Sequence, residues 1–128
     1  MKVKVKIKSE QIIEENREIE ENLCEGEIEY LQNGTILTFA EKFENQVLNF
    51  KMTILKNKII IDRQNQTMTL DYEIDDNCKL ETPYGSMNMT VHTQEMQIQK
   101  KEELIQKMIL KYHIILQNQM QYDNIVTI

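Results

Sequence analysis

Apolar and polar residues alternate with a period of two along nearly the whole chain, and this excludes most folds. A period of two puts successive side chains on opposite faces of an extended strand, whereas an amphipathic helix repeats about every 3.6 residues. Val3, Val5 and Ile7 share one face of the opening stretch, and Lys2, Lys4, Lys6 and Lys8 share the other. A lysine row solvates its face and discourages edge-to-edge association. The cleanest alternation sets Met68, Leu70, Tyr72 and Ile74 inward against Thr67, Thr69, Asp71 and Glu73. Leu37, Phe39, Glu41 and Phe43 form a similar set, as do Leu48, Phe50, Met52 and Ile54, then Ile59, Ile61 and Arg63. Leu104, Met108, Leu110, Tyr112, Ile114 and Leu116 form a long inward face, with Ile105, Ile109 and Ile115 opposite. Met120, Tyr122, Val126 and Ile128 close the chain.

Two places break phase. Ile19 and Leu23 fall opposite Cys24, Gly26, Ile28 and Tyr30, and a bulge between Leu23 and Gly26 reconciles the halves. Met87, Met89, Val91 and Thr93 give way to Met96 and Ile98, which places a second bulge near Thr93 to Glu95. If the acidic strand that follows pairs with the first, its glutamates face the lysine row.

Turns punctuate these runs. Asn33-Gly34 is a hairpin signal, because both residues tolerate positive φ. The residues 11–17 are polar and suit a turn, a cap or an early strand. Further polar turns fall at 44–46, 56–58, 64–66, 75–77, 100–103 and 117–119. Thr82-Pro83-Tyr84-Gly85 holds the one proline and reads as a rigid corner that fixes register. Turn signals about every 8–12 residues, with no helix longer than two turns, indicate an all-β chain of roughly 8–10 strands. Short loops join neighbouring antiparallel strands, and an up-and-down meander removes its edges by closing into a barrel. The expectation is one domain, 1–128, forming a single antiparallel up-and-down β-barrel.

Composition narrows the partners. Net charge is −6, with 21 acids against 15 bases, and the arginines are Arg17 and Arg63 alone. Phosphate binding draws its affinity from Lys and Arg, so no nucleic acid is expected. No apolar run approaches the roughly 20 residues of a membrane helix, and the basic start lacks an apolar signal segment. No membrane association and a cytoplasmic location are the corresponding expectations. Cys24 and Cys78 have no C-x-x-C spacing and are expected as reduced, inert thiols. Eight methionines and no tryptophan point to a core filled by adaptable side chains.

The corner carries a resemblance. Leu80-Glu81-Thr82-Pro83-Tyr84-Gly85, followed by Met87, Met89, Val91 and Thr93, resembles the YwiB-like family of bacterial β-barrel proteins. Cys24-Glu25-Gly26, Phe39-Ala40-Glu41 and Arg63-Gln64-Asn65 are similar to further family patterns, in the same order along nearly the whole chain. Leu80 stands where an aromatic is usual, and Asn65 where glycine is usual. The resemblance implies a calycin-like, lipocalin-like barrel of unknown function, and brings no catalytic residues.

No phosphate loop, G-x-S-x-G or H-E-x-x-H is present, so neither an enzyme nor a cofactor or metal site is expected. Glu41 and Arg63 each continue an apolar face. An inward charge must pair or be neutralised. They form either a structural ion pair or the polar contacts of a ligand in the barrel, with Tyr84 as a third contact. His92 and His113, far apart in sequence, read as surface residues. The expected function is binding of a small, mostly apolar or amphipathic ligand. The alternative is a filled barrel acting through its outer surface or as a homodimer, for which Ile105, Ile109 and Ile115 supply the apolar face.

Overall fold

The computed structural model describes every residue except 14, 44, 64–65, 83–84, 116–118 and 128; side chains at 13, 43, 80–82 and 119–127 are likewise not described. The strands are β1 (Lys2–Ile13), β2 (Asn16–Leu31), β3 (Gly34–Phe43), β4 (Gln46–Ile54), β5 (Lys58–Arg63), β6 (Gln66–Asp71), β7 (Asp76–Thr82), β8 (Gly85–Lys101), β9 (Leu104–Ile115) and β10 (Gln119–Thr127). All pair antiparallel in one sheet ordered β6-β5-β4-β3-β2-β1-β10-β9-β8-β7. Except for β6 and β7, each strand pairs with the next in sequence, and β1 joins the two ends of the chain through its ladder with β10. This is the expected meander, curled into a calycin-like barrel.

The lysine row of β1 meets the acidic strand as expected: Lys2, Lys4 and Lys8 lie opposite Glu27, Glu25 and Glu21. Lys6 reaches diagonally to Glu21 at 2.6 Å, and the hydrogen bond and charge of Lys6 hold the Glu21 carboxyl below its usual range.

Between β6 and β7 the barrel closes without a ladder. Instead, side chains of β7 and β8 cap the amides of β6. The Thr69 amide donates to Asp76 Oδ2 (2.8 Å), and the Asp71 amide donates to Thr93 Oγ1 (3.0 Å). Just past β6, the Tyr72 hydroxyl donates to the Met96 carbonyl (3.1 Å) and accepts from the Met96 amide. Capping of this kind satisfies edge groups that would otherwise recruit another strand.

Buried core residues come from eight of the strands, β1 to β6, β8 and β9. Val5, Ile28, Leu37, Ile59, Leu70, Val91, Ile105, Met108 and Leu110 are each at most 2% exposed. Side chains thus fill the described interior toward the end that carries the β2–β3, β4–β5 and β8–β9 turns.

Several sequence expectations need correction. No bulge separates Leu23 from Gly26: β1 and β2 pair in unbroken register, and Ile19 and Leu23 simply point outward, Leu23 72% exposed. What changes at Gly26 is the other ladder, because β2 leaves β3 at the Gly26–Phe39 pair. The glycine is there for close approach, since a Cβ would lie 2.5 Å from the Thr38 carbonyl oxygen. Leu31 pairs with Gly34, so Gln32-Asn33 forms the turn and Gly34 opens β3. Positive φ is found instead at Glu102 and Glu103, in the β8–β9 turn, and at Gly85. Gly34 is small for a different reason: a Cβ would meet the Ile54 carbonyl oxygen at 2.7 Å.

Tyr72 and Ile74 do not face in. β6 stops at Asp71, and both lie exposed in the following connection. The bulge expected near Thr93 is present, with Gln94 as the extra residue. A second irregularity leaves Gln106 unpaired on β9 and reverses the phase beyond it, so Ile105 is core and Leu104 exposed. The outward apolar face expected on this strand therefore loses Ile105.

Candidate functional site

The two ends of the barrel differ in what they turn inward. Toward the end that carries the β1–β2, β3–β4 and β5–β6 turns, the inward phase runs from Cys24 to Asn22 on β2, from Phe39 to Glu41 on β3, and from Ile61 to Arg63 on β5. Gln66 follows on β6. Phe39, Phe50, Arg63 and Gln66 are successive register partners across β3, β4, β5 and β6, so they stand side by side on one face. Phe39 and Phe50 stack, with ring centroids 5.0 Å apart and planes inclined by 9°. The Arg63 guanidinium carbon lies 5.5 Å from the Phe50 centroid, within range of a cation–π attraction.

Glu41 sits one step beyond Phe39, half-buried. Desolvation pushes its carboxyl above the usual range; the Arg63 charge pulls it back, Glu20 raises it again, and the Asn22 hydrogen bond lowers it. That bond, from Asn22 Nδ2 to Glu41 Oε2, is long at 3.5 Å. Glu41 and Arg63 therefore feel one another but form no ion pair; the ion pairs among the described residues are Lys6–Glu21, Arg17–Glu10 and Lys111–Glu95, and Asp75 is hydrogen-bonded to His92. Arg63 remains exposed.

Backbone pairing separates β2 from β3 at this end. Beyond Gly26 and Phe39, β2 continues with β1 alone while β3 continues with β4. Asn22 and Glu41 span the gap between them. On the outer side of the same wall, a shallow depression of about 490 Å³ runs over Gly26, Thr38, Ala40 and Asn49, flanked by Lys51 and Asp62. At the opposite end, a smaller recess of about 170 Å³ lies between Ile59, Tyr72, Met96 and Ile98.

The structure thus brings Glu41 and Arg63 to one end of the barrel, and Tyr84 lies outside the described residues. Sequence reasoning missed Asn22 and Phe50 as their neighbours. Asn22 is in phase with Cys24 and Gly26, and carrying the alternation through without a bulge places it inward. Cys24 and Cys78 are free thiols. Burial pushes both up, with Glu41 adding to the effect at Cys24 and Asp76 at Cys78. Both are poor nucleophiles for that reason. His92 and His113 do lie on the outer face of β8 and β9, but side by side.

Among the described residues, no helix is long and apolar enough to cross a membrane. A family model described as a domain of unknown function (DUF1934) matches residues 5–128. The crystal structure of the ywiB protein from Bacillus subtilis superposes with a TM-score of 0.75 at 13% identity, covering 98% of this chain and 90% of that one. No curated protein matches the sequence. At 13% identity the structural likeness speaks to the fold alone, and it is the barrel expected from the Thr82–Gly85 corner. The chain belongs to the DUF1934 family, and its fold is the YwiB-like β-barrel.

Proposed function

We propose that this protein is a binding protein, not an enzyme, and that it takes a small amphipathic molecule at the polar end of its barrel. The observation that carries this reading is Glu41: an inward, desolvated carboxylate with one long hydrogen bond and no ion pair. A half-buried carboxylate with a single long hydrogen bond keeps acceptor capacity for a further donor. Phe50, partly exposed and stacked on the buried Phe39 ring, offers an apolar contact beside it, and the Arg63 guanidinium over the Phe50 ring offers a planar cation. A ligand with an apolar body against Phe50 and a polar head between Glu41 and Arg63 meets each group with its complement. The packed core argues against a ligand deep in the apolar end, where inward side chains are already closed to solvent.

Native mass spectrometry of the purified protein tests this reading, because it reports a retained ligand directly. The expected result is an adduct that is lost on gentle activation and weakened at least tenfold by Arg63→Met. A bare mass from freshly lysed cells, or a ligand retained equally by Arg63→Met and Glu41→Gln, rejects the site.

A further inference from the structure

The outer face of β8 and β9 gathers residues that the sequence holds far apart. His92 and His113 are direct register partners across the two strands. Their ring centroids are 6.4 Å apart and the planes are inclined by 45°. Val91 and Thr93, on either side of His92, are buried, which fixes the histidine outward. Asp75, in the connection between β6 and β7, approaches from a third direction: its Oδ1 lies 2.7 Å from His92 Nδ1. An ionised carboxylate only accepts, so Nδ1 carries the proton and the lone pair of Nε2 is left for another partner. Metal-binding imidazoles are commonly oriented in this way, by a carboxylate on the nitrogen that does not bind.

We propose that His92 and His113 form a two-imidazole site for a borderline divalent cation of the Zn²⁺ class, with Asp75 as a positioning residue for His92. Zn–N bonds of about 2.0–2.1 Å and a tetrahedral angle place two ligand ring centres about 5 Å apart. Closing the observed separation needs a shift of about 1 Å, within reach of side-chain torsions on a face where the His92 side chain is 50% exposed. Among the described residues, no group of three or more His, Cys, Asp or Glu is placed to hold a metal. Two imidazoles with water completing the shell are therefore the full protein contribution, and binding is weaker than at a four-ligand structural site. Glu95 and Lys111 are register partners further along the same two strands, and they pair with each other at 3.6 Å.

Titration of the full chain with ZnCl₂, followed by calorimetry and by imidazole nitrogen shifts, tests the site. The expected result is one saturable equivalent, with the shift at His92 Nε2 and no response to MgCl₂, a hard cation that prefers oxygen ligands. His92→Gln and His113→Gln should each weaken binding at least tenfold. Asp75→Asn should weaken it about tenfold and alter the His92 tautomer seen in the metal-free spectrum. All three positions are at least partly exposed, and the wild-type imidazole shifts give a reading independent of any variant. The proposal is overturned by absence of saturable binding, by imidazole shifts that do not move, or by Zn²⁺ affinity equal in both histidine variants and wild type.

Discussion

The two ends of this barrel have the same strands and different interiors. At one end Ile28, Leu37, Ile59, Leu70 and Ile105 meet and exclude water. At the other, Asn22, Glu41, Arg63 and Gln66 continue the same inward phases with polar groups. The backbone follows the difference. The β2–β3 ladder holds along the apolar end and stops at Gly26–Phe39, where the polar end begins. Burial of apolar surface stabilises a wall that is closed on itself, whereas inward charge favours a wall that stays open to water. One end thus serves as foundation, and the other gathers the inward polar groups.

Truncation should separate the two most sharply. Leu37→Ala, at a position with 0% exposure, should cost about 2–5 kcal/mol by urea denaturation. Leu48→Ala, opposite Glu41 and half-buried, should cost less than half of that. Equal losses would break the comparison. Gly26→Ala tests the boundary between the two ends. The new Cβ would press on the Thr38 carbonyl oxygen, on Phe39 Cβ at 3.1 Å and on Val5 Cγ2 at 3.2 Å. Overpacking of this kind costs about 1–3 kcal/mol, and hydrogen exchange should quicken along the β2–β3 ladder before it does in β1–β10.

A smaller gain is available in the turn of the packed end. Glu102 and Glu103 both hold positive φ, 54° and 67°, which favours Asn-Gly in a two-residue hairpin. Glu102→Asn combined with Glu103→Gly should raise stability by about 1 kcal/mol, seen as a higher urea midpoint. An unchanged midpoint would mean that these glutamates are held without strain.

The smallest effect concerns Glu41 at the polar end, and its sign is diagnostic. The folded-state pKa is raised, chiefly by desolvation, so ionisation costs the folded state more than the unfolded state. The folded protein loses stability as pH rises from the unfolded carboxyl pKa through the raised folded one. Glu41→Gln should therefore raise the melting temperature at neutral pH. That gain should vanish below about pH 4, where the wild-type carboxyl is protonated in both states. A fall in melting temperature at neutral pH would instead assign Glu41 to a net stabilising pairing with Arg63.

Much of this architecture is legible from residue order because strand periodicity depends only on which neighbours are apolar. The meander, the lysine–glutamate facing of β1 and β2, the Gln94 bulge and the inward setting of Glu41 all follow from alternation carried along the chain. Where alternation misled, a tertiary neighbour was responsible. Gly26 signals an irregularity, but whether it is a bulge toward β1 or a departure from β3 depends on where the Thr38 carbonyl comes to rest. Ile105 and Leu104 exchange faces because one residue, Gln106, is left out of the ladder, and two adjacent apolar residues give no local preference between them.

Asn22 beside Glu41 and His92 beside His113 were hidden for a related reason. Pairing across strands is set by register and barrel closure, which join residues 19 and 21 positions apart. Composition and period by themselves determine that this chain is a barrel wall and, for most residues, which face is inward. Only the tertiary structure decides which inward residues meet, because that depends on where each ladder starts, slips and ends.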